Sequence, residues 1–413
     1  GRPDADRKVL EQAIAIAGEG TDLSLRARAY EALGSHHFGQ SAYADAEREV
    51  RRGLDLAREA GDRLRESAGH ARLAGIYQRL GRLDEAWREY EAWAELAHAI
   101  GDRVGEAGAL GGVGGLLYLA GRYEEACEHN ERYLALAREL GNRYHESVAT
   151  GNLAAVLRYL GRYGEALEHS RRRLELAVER GDRRSEARTQ ANMGGLLLSL
   201  GDFEEAERML EASLATLEAI GARREAGFAL NGLGALAAAR GDEATAIVLL
   251  ERLLERQREL EDPVGATSTL LALGRLHLDA DHEDRARTRL AEALRAGEKR
   301  AMAAVIALAQ SLLACLPDGD PNEAVDAYER WSDRIGHTDR MECLWRLWRL
   351  TAESRHLEEA YRLLVSLCES APDGYRGTMV ARFPLYRDLD AAWRMHTAPG
   401  ASDQLNQGFE HPT

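Results

Sequence analysis

The chain is short of the residues that staple, kink or anchor a fold. Its 413 residues hold four cysteines, Cys127, Cys315, Cys343 and Cys368, scattered without a C-x-x-C pair. That excludes a disulfide framework and a cysteine zinc site, and it fits idle thiols in a reducing cytoplasm. Eight prolines and five phenylalanines are few for this length, and no Val/Ile/Thr alternation marks a strand. No apolar run reaches the length that spans a bilayer, and no basic-then-apolar segment opens the chain. Positive charge is also in deficit: 54 Lys and Arg stand against 69 Asp and Glu, a formal net charge of −15. This argues against nonspecific binding to nucleic acid or to an anionic membrane.

What is present is a helix-rich composition, 45% hydrophobic and 30% charged, in a chain too long for one compact core. Several domains or a repeat array are therefore expected, and the repeats are visible. Ala46, Ala86, Ala126, Ala166, Ala206, Ala246 and Ala286 recur every 40 residues. Twelve positions before each stands a small residue: Gly34, Ala74, Gly114, Ala154, Gly194, Gly234 and Gly274. Each unit carries two glycine marks, one mid-unit (Gly81, Gly121, Gly161, Gly201, Gly241) and one at the boundary (Gly61, Gly101, Gly141, Gly181, Gly221). Between the marks, apolar residues recur at helical spacing. Glycine just past a helix end supplies the left-handed residue, and Asp62, Asp102, Asn142 and Asp182 follow as N-caps. Each unit reads as helix A, tight turn, helix B, tight turn, and must stack on its neighbours to bury its apolar stripes.

Here the chain resembles the tetratricopeptide repeat (TPR) family. The family's L-G-x-x-Y…A pattern reads as Leu73-Ala74-Gly75-Ile76-Tyr77…Ala86 and as Leu153-Ala154-Ala155-Val156-Leu157…Ala166. The usual final proline is absent, and the unit is longer than the common form, similar to the variety in kinesin light chains and in TPR tails of bacterial multidomain signalling proteins. The resemblance implies an all-α, right-handed superhelical solenoid. Expected along it are a remnant or capping helix at 1–20, seven regular repeats at 21–300 and two degenerate ones at 301–372. A C-terminal cap at 373–396 and a disordered tail at 397–413 complete the expectation. The opening residues read as a helix already under way, so a longer parent chain is expected.

The stretch "GEAGALGGVGGLLYLAGRYEEA", residues 105–126, holds seven glycines and raises the question of a phosphate loop. No Gly-Lys-Ser/Thr follows, and Leu117 stands where a G-x-G-x-x-G motif needs its third glycine. Within the repeat, Gly114 is the small residue of helix A. Gly108, Gly111, Gly112 and Gly115 map to the side that faces the concave groove in the family, and either room for a ligand backbone or mere tolerance of drift is the expectation for them. Other tempting motifs fail. In "PDGDPNEAVDAYE", Glu323 occupies the place of a calcium loop's turn glycine, and Asp320, Pro321 and Glu323 read as a helix cap instead. "YRDL" at 386–389 lacks the asparagine and glycine loop of a kinase, and His36–His37 has no third ligand at helical spacing.

No nucleophile–base pair, paired acids or metal cluster emerges, so the expectation is a non-catalytic module without cofactor or metal. The resemblance implies a concave surface lined by A helices. Candidate peptide- or protein-binding residues on it are Arg72, Arg79, Gly111, Gly115, Tyr118, Asn152, Arg158, Arg188, Asn192, Phe228, Asn231 and Arg275. Asparagine amides can donate to and accept from a bound main chain, and arginines can receive acidic groups. The expected partner is a peptide or helical segment of another protein, acidic in character, in cytoplasmic bacterial signalling or scaffolding. The alternative is an intramolecular regulatory or sensor domain that controls an attached kinase, protease or ATPase.

Overall fold

The computed structural model describes residues 9, 12, 22–40 and 42–397. The segments expected at 1–20 and 397–413 therefore lie outside the described residues, apart from Val9, Gln12 and Thr397. Among the described residues the regular structure is helical, with no strand. The helices are α1 Leu23–Gly39, α2 Tyr43–Ala60, α3 Arg63–Leu80, α4 Leu83–Ile100, α5 Arg103–Leu119, α6 Tyr123–Glu139 and α7 Arg143–Tyr159. There follow α8 Tyr163–Glu179, α9 Arg183–Ser199, α10 Phe203–Ala219, α11 Arg223–Ala239, α12 Glu243–Glu259, α13 Pro263–Asp279 and α14 Glu283–Glu298. The chain ends in α15 Ala303–Leu313, α16 Pro321–Trp331, α17 His337–Thr351, α18 Ser354–Ser370, α19 Arg376–Arg382 and α20 Pro384–Thr397. It divides within α7 into two compact units, one up to Leu153 and one from Ala154.

The punctuation works as its chemistry requires. The ten marking glycines all lie in the left-handed region, with φ between +62° at Gly141 and +81° at Gly201. Beyond residue 250 the same turn position passes to Glu261 (φ +49°), Asp281 (+56°) and Ala301 (+51°), which any side chain adopts at some strain. Asp62, Asp102, Asn142 and Asp182 each accept from the backbone amide three residues on, at 2.9–3.1 Å. Odd-numbered helices up to α13 are the A helices and even-numbered ones the B helices. The periodic alanines are wholly buried, and so are Ala324 and Ala360 in the last helices.

The small residue of each A helix is there because the residue sixteen positions on, in helix B, crosses it. A Cβ on Gly194 or Gly274 would come within 2.6 Å of Leu210 or Leu290, and one on Gly234 within 3.0 Å of Leu250. In the first unit, Gly34 and Gly114 are crossed in the same way by Val50 and Asn130.

In the second unit the last helices return onto the turns of earlier repeats. The His337 ring lies against Gly161, and its Nε2 stands 2.7 Å from the Leu363 carbonyl. Tyr163 and Thr338 share a hydroxyl hydrogen bond at 3.0 Å, and Ser370 Oγ donates to the Gly161 carbonyl. One repeat later, the Tyr375 hydroxyl donates to Asp202 at 3.1 Å, Arg382 pairs with Glu204 at 3.2 Å, and Phe383 meets Phe203 edge-on at 5.9 Å. The start of α17, the end of α18 and the residues that follow thus cover the turns of two helix hairpins.

Candidate functional site

The glycine run resolves in the first unit, and not as an open seat. A Cβ on Gly111 would stand 2.5 Å from the Tyr133 ring, one on Gly112 would overlap Tyr90, and one on Gly108 would overlap Trp93. Three aromatic rings from helices α4 and α6 fill the space that the glycines of α5 leave. The expectation that a ligand backbone occupies it is corrected for Gly108, Gly111 and Gly112. Bulk on the B helices is complemented by its absence on the A helix, as close packing demands. Gly115 is looser, with Gln78 at 3.4 Å.

Asn152 is partly engaged within the fold. Its amide donates to Asn130 Oδ1 at 3.0 Å, and Asn130, fully buried, donates to the Ala126 carbonyl at 2.7 Å. The amide expected to clamp a ligand therefore ties α7 to α6, directly beside Gly114. Tyr118 packs edge-on against Tyr123 at the turn, with centroids 5.9 Å apart. Arg72 is held by Ser35 Oγ at 3.0 Å and by Glu31 at 3.6 Å. Burial pushes the Glu31 carboxyl up, while Arg72 and Arg65 oppose it. Beside Arg72, between α1 and α3, lies a cavity of about 280 Å³ lined by Gly34, Phe38, Val50, Ala71, Gly75 and Ile76. Arg79 is exposed near the end of α3.

The second unit holds the other candidates. Arg275 on α13 meets the Glu342 carboxylate of α17 at 2.9 Å, and Arg346 joins from the other side at 3.0 Å. Burial pushes Glu342 up, but the two guanidiniums outweigh it and hold the carboxyl below its ordinary range. Asp339, one helical turn earlier, is raised to about 6: burial dominates, Glu342 adds to it, and Arg275 and Arg158 oppose. Arg158 lies over the Tyr159 ring at 4.8 Å, and that ring covers Gly336. Reading the sequence missed these acids of α17, which lie in the segment where the period loosens.

Arg188, Asn192, Phe228 and Asn231 are different. All four are exposed, Phe228 by 56%, on the neighbouring A helices α9 and α11. Arg188 and Phe228 hold the same position in successive repeats, and Asn192 and Asn231 lie about one turn further along. Arg188 makes no ion pair among the described residues. A large apolar ring, a guanidinium and two amides thus share one surface and make no side-chain hydrogen bond or ion pair among the described residues. Among those residues, too, no group of three His, Cys, Asp or Glu side chains is placed to hold a metal ion, and no helix is long and apolar enough to cross a membrane.

Comparison with known proteins agrees with this architecture. The sequence model of the tetratricopeptide repeat matches residues 145–219. No curated protein matches the chain. Among solved structures, a Rap protein complexed with competence and sporulation factor superposes with a TM-score of 0.64 at 11% identity, covering 87% of this chain and 100% of that one. NprR in complex with its cognate peptide NprX gives 0.60 at 15% identity, covering 89% and 99%. The Rap conjugation gene regulator of plasmid pLS20, in complex with the Phr* peptide, gives 0.60 at 11% identity, covering 81% and 96%. The 40-residue helix-pair period and the buried alanines carry the repeat architecture of residues 145–219 along the chain, which thus has the fold of a tetratricopeptide-repeat solenoid.

Proposed function

We propose that the exposed face of α9 and α11 binds an extended or helical segment of a partner protein, and that the chain serves as a regulatory or scaffolding interaction module without catalytic chemistry. The observation that carries this reading is the surface of Arg188, Asn192, Phe228 and Asn231, which is exposed and makes no side-chain hydrogen bond or ion pair among the described residues. Asparagine amides there can engage a bound main chain, Phe228 offers an apolar anchor, and Arg188 favours acidic side chains. The likeness to solved structures that hold a factor or a peptide supports the same reading.

A second reading has its own observation. Arg275, on an A helix, already receives a carboxylate, Glu342, from later in the same chain. That contact favours an occupant supplied intramolecularly, as in a sensor domain that restrains an attached effector. One experiment separates the two. A displayed peptide library is selected on the wild type and on Asn192→Ala/Phe228→Ala/Asn231→Ala, with circular dichroism to confirm folding. The first reading expects peptides that lose about tenfold or more in affinity on the variant, roughly 1.4 kcal/mol. Affinity that rises in Glu342→Gln would favour the second reading. Equal binding to wild type and triple variant removes the face as a receptor.

A further inference from the structure

We infer that Arg173 and Arg188 form an anion-binding subsite that takes a carboxylate of the groove-bound segment; this rests on the peptide-binding reading above. Arg173 belongs to α8 and is only 7% exposed. Its Nε meets no acceptor, and the guanidinium makes no ion pair among the described residues. Neighbouring repeats place neutral side chains at this position: Trp93 and Tyr133 before it, Ser213 and Leu253 after it. In the first unit, Trp93 and Tyr133 turn toward A-helix glycines, so the position faces the A helices and not the outer surface. A guanidinium thus stands where neighbouring repeats carry an uncharged group, at a point packed against the A helices.

Its surroundings make the charge worse. Burial pushes the Arg173 guanidinium down to about 10, and the like charge of Arg188 adds to that; Asp182 acts weakly in the other direction. Asp182 is already committed as the N-cap of α9, accepting from Ser185 N at 3.0 Å, with Arg180 at 3.9 Å. A buried guanidinium without a counter-charge is destabilising, and a second one nearby compounds it. One carboxylate bridging the two forks would remove both defects, since guanidinium geometry matches carboxylate oxygens in pairs. Elsewhere in the same unit the chain supplies such a solution itself, where Arg275 and Arg346 share Glu342.

The test uses the purified chain and sodium succinate as probe, with sodium chloride at equal ionic strength as control. Thermal unfolding of the wild type is expected to shift upward with succinate. Arg173→Met is expected to unfold at a higher temperature than wild type without the probe, and to lose the succinate response; Arg188→Gln should lose the response as well. A wild type indifferent to succinate, or a response retained in Arg173→Met, overturns the subsite. So does an Arg173→Met that is less stable without the probe, because Arg173 would then be a structural residue. Peptides selected with free and with amidated C-termini distinguish the carboxylate's source: enrichment of free ends only assigns a chain terminus, and acidic residues in both assign a side chain. Neutral peptides that bind wild type and Arg173→Met alike, but not the triple variant, would overturn the subsite while the groove reading stands. If no peptide is selected, the groove reading falls, and the succinate response alone decides the subsite.

Discussion

Substitution of Gly112 by alanine separates a packing role for the glycine run from mere tolerance. In an exposed helix interior the change is favourable by about 1 kcal/mol. At Gly112 the new Cβ would stand 2.5 Å from Tyr90 Cδ1 and nearer still to the rest of that ring edge. Tyr90 cannot swing aside freely: it is 7% exposed, its hydroxyl donates to Gln78 Oε1 at 3.0 Å, and its ring leans on Trp93 at 6.2 Å. Trp93 in turn fills the space above Gly108. Overpacking of a filled core costs about 1–3 kcal/mol, and three ring carbons in overlap place this site at the upper end. The net expectation is a loss of about 1–2 kcal/mol. Gly75→Ala is the control in the same unit, since nothing lies within 4 Å of a Cβ there, and it should gain about 0.5–1 kcal/mol. Urea unfolding reports the sign, and hydrogen exchange of α4 and α5 localises it, because stacked repeats open piecewise. In a Tyr90→Leu background, Gly112→Ala should turn neutral or favourable. Equal stabilisation of the wild-type background by both glycine variants would refute a packing role for Gly112.

Two further outcomes probe the second unit. The Asp339 carboxyl is raised to about 6 from an ordinary 3.8, so the folded state holds its proton more tightly than the unfolded chain. That stabilisation is present below about pH 4 and is lost as pH rises through 6. Stability of the wild type relative to Asp339→Asn should therefore fall between pH 4 and pH 7, by on the order of 2–3 kcal/mol; a pH-independent difference would contradict the assignment. Phe383→Ala removes a ring that meets Phe203 edge-on and packs against the Leu197, Leu198 and Leu236 cluster. A loss of about 2 kcal/mol is expected, given partial burial, with faster hydrogen exchange in α19 and α20; unchanged exchange would mean that the contact does not hold these helices.

Most of the scaffold was legible because its determinants are local and periodic. Alanine every 40 residues, a small residue twelve before it and glycine-aspartate marks each report one contact or one turn, and each recurs in sequence. The glycine run misled because its partners are remote from it. Gly111 is filled by Tyr133 and Gly112 by Tyr90, each 22 residues away, and the signal available was the surplus of aromatics in α4 and α6. The contact of Asn152 with Asn130 was not legible for a related reason: an amide suited to a ligand backbone is equally suited to another asparagine. The return of the C-terminal helices onto Gly161 and Gly201 had no sequence signature, since Ser370 lies 209 residues from Gly161 and no period connects them. The pattern marks Arg275 as a receptor for acid, and the acid it meets, Glu342, comes from the same chain. Arg173 was overlooked because one arginine among three in "RRR" at 171–173 carries no sign of burial.

The central claim is that the face of α9 and α11 holds a bound segment, and photocrosslinking tests it most directly. p-Benzoylphenylalanine is placed at position 228, in place of the exposed Phe228, and at the exposed Leu64 as a control on the first unit. The chain is irradiated with a peptide selected on the wild type. The account predicts an adduct from position 228, competed by unlabelled peptide, and none from position 64. Adducts from 64 and not from 228, with the selected peptide still bound, would contradict it.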